Sequence, residues 1–334
     1  MTMAAESSTV QLGHGGGGSL SHDLIKQLLV PAFGPADGVL HDAAVLPAEA
    51  GPLAFTTDAY VVRPLLFPGG DIGSLAVFGT VNDLAMVGAK AVALSLSLIL
   101  EEGLPMTTLQ RVVASVRLAA QRCAVPVVTG DTKVVERGKG DGLYITTTGI
   151  GRVEHGLTIG PAAVQSGDAI LVSGDLGRHG VAILAARQEL GFSTELRSDL
   201  APLHEPVQVL LAAGLELHCL RDLTRGGLAS ALHEIGRDAG LGLLLQEQAI
   251  PIAPAVEGAC DLLGLDPLAM ANEGRFVVFL PAGQAERALN LLRHFEPSAA
   301  LIGTVAGAAV LLENSLGLCR RLELGRGEQL PRIC

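Results

Sequence analysis

The chain has no tryptophan, and aromatic residues make up only 3% of its 334 residues. Few rings are therefore present on which bases could stack. Positive charge is also scarce: 23 lysines and arginines stand against 34 acids, a net charge of −11. Such a surface repels a phosphate backbone, so nucleic acid is excluded as a partner. The five cysteines (Cys123, Cys219, Cys260, Cys319, Cys334) form no CxxC pair, and the nine histidines form no HxH or HExxH. Neither a zinc site nor a disulfide framework is expected. The longest apolar runs, Ala91–Leu100 and Val209–Leu215, are of core length, so no membrane span is expected. No basic start leads into an apolar leader, and a reduced cytoplasmic setting is the natural reading.

What remains is apolar and rich in glycine, with 49% hydrophobic residues and 42 glycines. The length suits two domains. Residues 1–40, with the run Gly13-His14-Gly15-Gly16-Gly17-Gly18, read as a mobile segment: a linker, or a flap whose bare amides close over an anion. It is no P-loop, because no Gly-Lys-Ser/Thr follows. From Leu53 strands and helices alternate. Strands are read at Leu53–Val62, Ala91–Leu100, Val125–Thr129 and Leu143–Gly151, with helices at Asp71–Gly88, capped by Asp71, and Met106–Arg122. After a loop near 156–166 the cycle restarts, with strands at Ala169–Ser173, Leu241–Gln246, Arg275–Pro281 and Ala300–Val305. Helices are read at His179–Leu190, Val207–Ala213, Gly226–Ala239 and Gln284–His294. Two α/β domains, 41–158 and 159–312, follow, with a tail over 313–334.

The chemistry-bearing residues are mostly carboxylates. Asp42 opens a small apolar strand, Asp58 interrupts one, Asp83 sits on the first long helix, and Asp131 follows a strand. Any one of them is as readily a cap or turn residue. Four together, in apolar surroundings and without His or Cys, suit Mg²⁺ on the phosphates of a nucleotide. Lys133 is either a point charge on a transferring phosphate or a solvated lysine. Asp222-Leu223-Thr224-Arg225-Gly226-Gly227 is either a tight turn or an anion-binding helix start. Glu273, before Gly274, is a general base or a turn residue, and from the residues alone the turn is the better reading. The last residue, Cys334, has a thiol free to swing. Arg332 beside it should favour the thiolate and the adjacent carboxylate oppose it.

Several of these motifs, in this order, carry a resemblance: Asp42-Ala43-Ala44-Val45, Thr57-Asp58, Asn82-Asp83-Leu84-Ala85-Met86, Gly130-Asp131-Thr132 and Asp222-Leu223-Thr224-Arg225-Gly226-Gly227. The chain resembles the aminoimidazole ribonucleotide synthetase (PurM-like) superfamily of ATP-using enzymes. More narrowly it is similar to the HypE family of carbamoyl dehydratases. The narrower likeness rests on His14-Gly15-Gly16, Phe67-Pro68-Gly69-Gly70-Asp71, Glu101-Glu102-Gly103-Leu104-Pro105, Lys133-Val134-Val135, Ala271-Asn272-Glu273-Gly274 and Pro331-Arg332-Ile333-Cys334. The resemblance implies a two-domain PurM-like α/β (α+β) fold and a homodimer paired through its N-terminal sheets. It implies [NiFe]-hydrogenase maturation: a carbamoyl group from HypF is received on Cys334, dehydrated with ATP and Mg²⁺ to a thiocyanate, and passed as cyanide to iron on HypC–HypD. On that reading Asp42, Asp58, Asp83 and Asp131 hold the metal, and Glu273 is the base. Lys133 stabilises the transferring phosphoryl, and His14, Gly15, Gly16, Asn82, Asp131, Thr132, Asp222 and Gly226 bind the nucleotide. A small-molecule kinase or synthetase of the superfamily, or a non-catalytic docking scaffold, are the alternatives.

Overall fold

The computed structural model describes residues 8–16, 18–34, 44, 46–47, 50–187, 195–324 and 332–334. Within the segment read as mobile, residues 8–16 are fixed, and residues 1–7, 17 and 35–40 lie outside the described residues. Val10 is 1% exposed, its N–H donates to Leu104 O, and its carbonyl accepts from Gly103. One buried valine thus anchors residues 8–16, a 3₁₀ turn over Leu12–Gly15 follows, and helices α1 (Ser19–Leu24) and α2 (Val30–Phe33) continue.

The first unit comprises β1 (Leu53–Tyr60), a small hairpin of β2 (Leu66–Phe67) and β3 (Gly70–Asp71), α3 (Ile72–Met86), β4 (Lys90–Glu101), α4 (Met106–Arg122), β5 (Val127–Val135) and β6 (Leu143–Arg152). The sheet order is β1-β6-β4-β5, antiparallel except for the β4–β5 pair, which α4 connects as a helical crossover. Asp71 caps α3, accepting from Gly73 N (2.8 Å) and Ser74 N (3.0 Å) while the Ser74 hydroxyl accepts from Asp71 N. This helix is apolar all round because it is buried all round. Ile72, Leu75 and Val81 pack into the first core, and Ala85 and Met86 pack into a core of the second unit.

That second unit runs through β7 (Asp168–Val172), α5 (Arg178–Ala186), α6 (His204–Ala212), β8 (Cys219–Asp222), α7 (Gly227–Ala239), β9 (Leu243–Gln246), α8 (Pro254–Leu263), β10 (Phe276–Pro281), α9 (Ala285–Arg293), β11 (Ala300–Val305), β12 (Val310–Glu313) and β13 (Cys319–Arg321). Its sheet order is β13-β12-β9-β11-β7-β10-β8. β7 is buried along its length and β10 along all but its last residue, because helices cover both faces, α7 on one side and α6 with α9 on the other. β8 and α8 were not foreseen, and the tail expected from residue 313 begins instead with the β12–β13 hairpin.

Asn82 joins the units. Buried on α3, it donates to Ala201 O (3.1 Å) and accepts from Leu203 N (2.7 Å). The side chain read as a nucleotide contact is thus engaged in a cross-brace.

Candidate active site

Three of the predicted carboxylates meet where the first sheet, α3 and the edge strand β8 come together. Along β1 the residues alternate: Leu53, Phe55, Thr57 and Ala59 face out, while Thr56, Asp58 and Tyr60 face α3. The Thr56 hydroxyl donates to Asp83 on α3 at 2.8 Å. Burial raises the Asp83 carboxyl above its usual range, the Thr56 bond opposes this, and Asp58 adds to it. Asp222, at the end of β8, is pushed up to about 7 by burial first and then by Asp83, with Arg221 partly opposing. Three acids that repel one another in a partly dehydrated cleft suit a hard cation. Among the described residues no three His, Cys, Asp or Glu side chains stand close enough to hold a metal unaided. An ion here would need phosphate or water oxygens as well, as Mg²⁺ on a nucleotide commonly does. The donor set fits such an ion. Asp42 lies outside the described residues.

Glu273 lies beside this cluster, and its backbone is clamped. Asp199 accepts from Glu273 N (3.0 Å) and Gly274 N (2.8 Å) with one oxygen, and from His179 N (2.9 Å) with the other. Only glycine fits at 274, where a Cβ would sit 2.0 Å from Asp199 O. Asn272 braces the same loop, accepting from Gly177 N and donating to Leu223 O and Met270 O. Glu273 is 3% exposed, and among the described residues its Oε1 has no hydrogen-bond partner. Burial drives its pKa well up, followed by repulsion from Asp222, Asp199 and Asp58, while a hydrogen bond with the Cys334 thiol acts the other way.

The tail therefore ends inside the site. Val61 N donates to Cys334 O (3.2 Å) and Arg63 N to Arg332 O (3.2 Å), an antiparallel pairing on the segment after β1. Ile333 is buried in the first core. Burial raises the Cys334 thiol, Glu273 raises it further, and Arg225 opposes. Arg332, expected to favour the thiolate, instead bonds Asp141 (2.5 Å). Burial thus disfavours the ionised forms of both the thiol and the carboxyl facing it.

Asp131 and Lys133 lie elsewhere. Both are exposed on β5, at the opposite edge of the sheet from β1 and on its outer face, in register with Ser97 and Ile99. Three strand spacings, about 14 Å, separate β5 from β1. The buried setting expected of Asp131 does not exist in the single chain. Its carboxyl is held below its usual range by the Lys133 ammonium at 2.9 Å, helped by Thr132 N. His14 is buried, its Nδ1 accepting from Gln11 N. Gly15 presses on β5, where a Cβ would meet Val134 N at 2.5 Å, and Gly16 follows. Gly226 and Gly227 form a left-handed pair at the start of α7, with Gly227 N bonded to Thr224 O. The site residues missed from sequence are Asp199, His179 and Ser198. They stand in no recognisable motif: Asp199 and His179 bond backbone brought close only by the fold, and Ser198 bonds the His179 ring.

Comparison with known proteins agrees with this architecture. The N-terminal domain of the AIR synthase related proteins matches residues 40–153, and their C-terminal domain matches residues 165–311. The chain belongs to that family of two-domain proteins. Within it, the chain belongs with the HypE carbamoyl dehydratases. It is 49% identical to the carbamoyl dehydratase HypE of Cupriavidus necator over 98% of this chain and 96% of that protein. The crystal structure of a hydrogenase maturation protein HypE in complex with ATP superposes with a TM-score of 0.92 at 46% identity, covering 97% of this chain and 99% of the other. A chain from a HypE–HypF complex gives a TM-score of 0.80 at 40% identity, covering 90% and 99%.

Proposed function

We propose that this chain is an ATP-dependent carbamoyl dehydratase of [NiFe]-hydrogenase maturation, acting on a carboxamide carried by Cys334. The observation that carries this reading is the placement of Cys334 at the end of a docked tail, facing the buried Glu273 beside Asp58 and Asp222.

The chemistry follows from that placement. An amide oxygen is a poor leaving group. Transfer of the terminal phosphoryl of ATP to it breaks a P–O bond of ATP, forms a C–O–P link and releases ADP. Departure of phosphate then breaks the C–O bond as the carbon–nitrogen triple bond forms. The two N–H protons leave, one at each stage, the first to solvent. Glu273, desolvated beside the sulfur, takes the second proton in its ionised form. Carboxamide and ATP thus become thiocyanate, ADP and phosphate. Asp58, Asp83 and Asp222, with Asp42 from the segment before β1, would hold Mg²⁺, which would supply charge neutralisation on the phosphates.

Asp131 and Lys133 lie at the far edge of the sheet and on the opposite face from Asp58. A homodimer paired through the outer sheet faces resolves this, since one chain's β5 edge can then approach the other's β1 edge. That face exposes Leu53 (66%), Phe55 (71%) and Ile99 (40%), an apolar surface suited to a second copy. HypF is the carbamoyl donor, HypC–HypD the acceptor of the cyano group, and the cytoplasm the setting. The test is ATP turnover with and without carbamoylation of Cys334. ADP release that depends on the carboxamide supports the reading, and turnover on a free small acceptor with Cys334→Ala intact in rate overturns it.

A further inference from the structure

His179 has no part in the chemistry above, yet it contacts the tail that carries the reacting sulfur. It stands at the start of α5 and is wholly buried, edge-on to Phe67 with ring centroids 5.5 Å apart. Its Nε2 lies 2.8 Å from Ile333 O, and its Nδ1 lies 2.8 Å from the Ser198 hydroxyl. A carbonyl oxygen only accepts, so Nε2 carries the proton. Burial disfavours a second proton and keeps the ring neutral. Nδ1 must then accept, the Ser198 hydroxyl must donate to it, and the Ser198 oxygen is left to accept from Leu200 N (3.1 Å). Every proton in the relay Leu200–Ser198–His179–Ile333 is thereby directed toward the tail. Arg187, from the end of the same helical region, adds a second grip, donating to Arg332 O (2.7 Å) and Arg63 O (2.9 Å). The docked tail also holds Arg332 at φ +55, a conformation unfavourable for a residue with a Cβ, so these bonds oppose a local strain.

We propose that His179 is a positioning residue, a neutral Nε2–H donor that reads the backbone of Ile333 and so sets Cys334 against Glu273 during dehydration. When the tail leaves to meet another protein, the donor and the Ile333 cavity both lose their partner. The docked state is favoured over the released one through a bond that depends on a specific hydrogen, not on bulk. The catalytic consequence rests on the carboxamide reading, but the docking itself does not.

The chain's own cysteines supply the assay. Cys334 reports docking and exposed Cys319 reports intrinsic thiol reactivity, while buried Cys123, Cys219 and Cys260 report general loosening. Full-length protein is labelled with a maleimide and the rate at each cysteine is read by peptide mass spectrometry, for wild type, His179→Phe and His179→Gln. Phenylalanine keeps a ring against Phe67 and removes the donor, whereas glutamine restores an N–H near the Nε2 position. Loss of the donor leaves a buried carbonyl unpaired, so Cys334 labelling relative to Cys319 should rise about tenfold in His179→Phe. Glutamine should return it most of the way, with the three buried cysteines unchanged. In protein carbamoylated beforehand, the single-turnover rate of water loss should fall by a similar factor in His179→Phe. An unchanged Cys334 rate, a rise at all cysteines together, or a glutamine variant no better than phenylalanine would each overturn the proposal. If wild type shows no ATP-driven water loss, the functional reading fails while the labelling ratios still judge the latch.

Discussion

Replacing Glu273 by glutamine separates the chemistry of the site from its architecture. The clamp on residue 273 is made by backbone, through Asp199, so a glutamine is held in the same place. The side chain is buried, with Oε1 lacking a partner among the described residues, and its pKa is driven well up by burial and by Asp222, Asp199 and Asp58. A carboxyl with a raised pKa is a strong base once ionised, and general-base catalysis is commonly worth about 10² to 10⁴ in rate. Each factor of ten corresponds to roughly 1.4 kcal/mol, so Glu273→Gln should raise the dehydration barrier by about 3–5 kcal/mol. Receipt of the carbamoyl group on Cys334 should be unaffected. Stability should hold or rise at alkaline pH, because a buried acid that resists ionisation has been replaced by a neutral amide. The assay is single-turnover mass spectrometry of carbamoylated protein mixed with ATP, beside thermal unfolding of the same variant. A Glu273→Gln protein that loses water at the wild-type rate would refute the assignment of the base.

Further outcomes follow from the same site and its supports. Asp222 is raised from its ordinary 3.8 to about 7, so the folded chain holds a proton there that the unfolded chain has released. Stability should therefore fall as pH rises from about 4 to about 7, by at most on the order of 4 kcal/mol. Asp222→Asn should flatten that decline in denaturant melts and raise the melting temperature at pH 8; a parallel pH profile in wild type and variant would contradict it. Asn82→Ala removes both cross-unit bonds and leaves the buried N–H of Leu203 unpaired, an expected loss of about 1–3 kcal/mol in chemical unfolding. No loss would mean that the brace is dispensable. Phe55→Glu places a charge on the exposed apolar sheet face and should turn a dimer into a monomer by light scattering. A wild-type monomer at micromolar concentration would contradict the proposed pairing.

Regular elements with clean periodicity were readable from sequence. Met106–Arg122 and Ala300–Val305 have the predicted bounds, and Asp71 caps α3 as expected. Strand β5 was cut short because Gly130 and Asp131 look like a turn, whereas in the sheet they pair with Leu96 and Ser97. A Cβ at 130 would approach Leu96 O to 2.2 Å, so that glycine serves close strand approach rather than chain reversal. The four-residue β8 and the helix Pro254–Leu263 carry patterns too short or too mixed to announce themselves. Within the site, acid residues in apolar runs were legible because burying a charge is costly enough to mark them. Their grouping was not. Alternation along β1 and β5 put Asp58 and Asp131 on opposite faces, which follows from register and not from spacing in the chain. His179 and Asp199 were illegible, since what they recognise is backbone delivered by distant segments.

A carboxamide on Cys334, dehydrated with ATP, is what the proposed function requires. The most direct measurement is the intact mass of the protein after carbamoyl phosphate, HypF and ATP, with a Cys334→Ala variant beside it. A carbamoyl adduct confined to Cys334 should form and lose one water only when ATP is added. An adduct that persists unchanged with ATP, or one that forms equally on the variant, would contradict it.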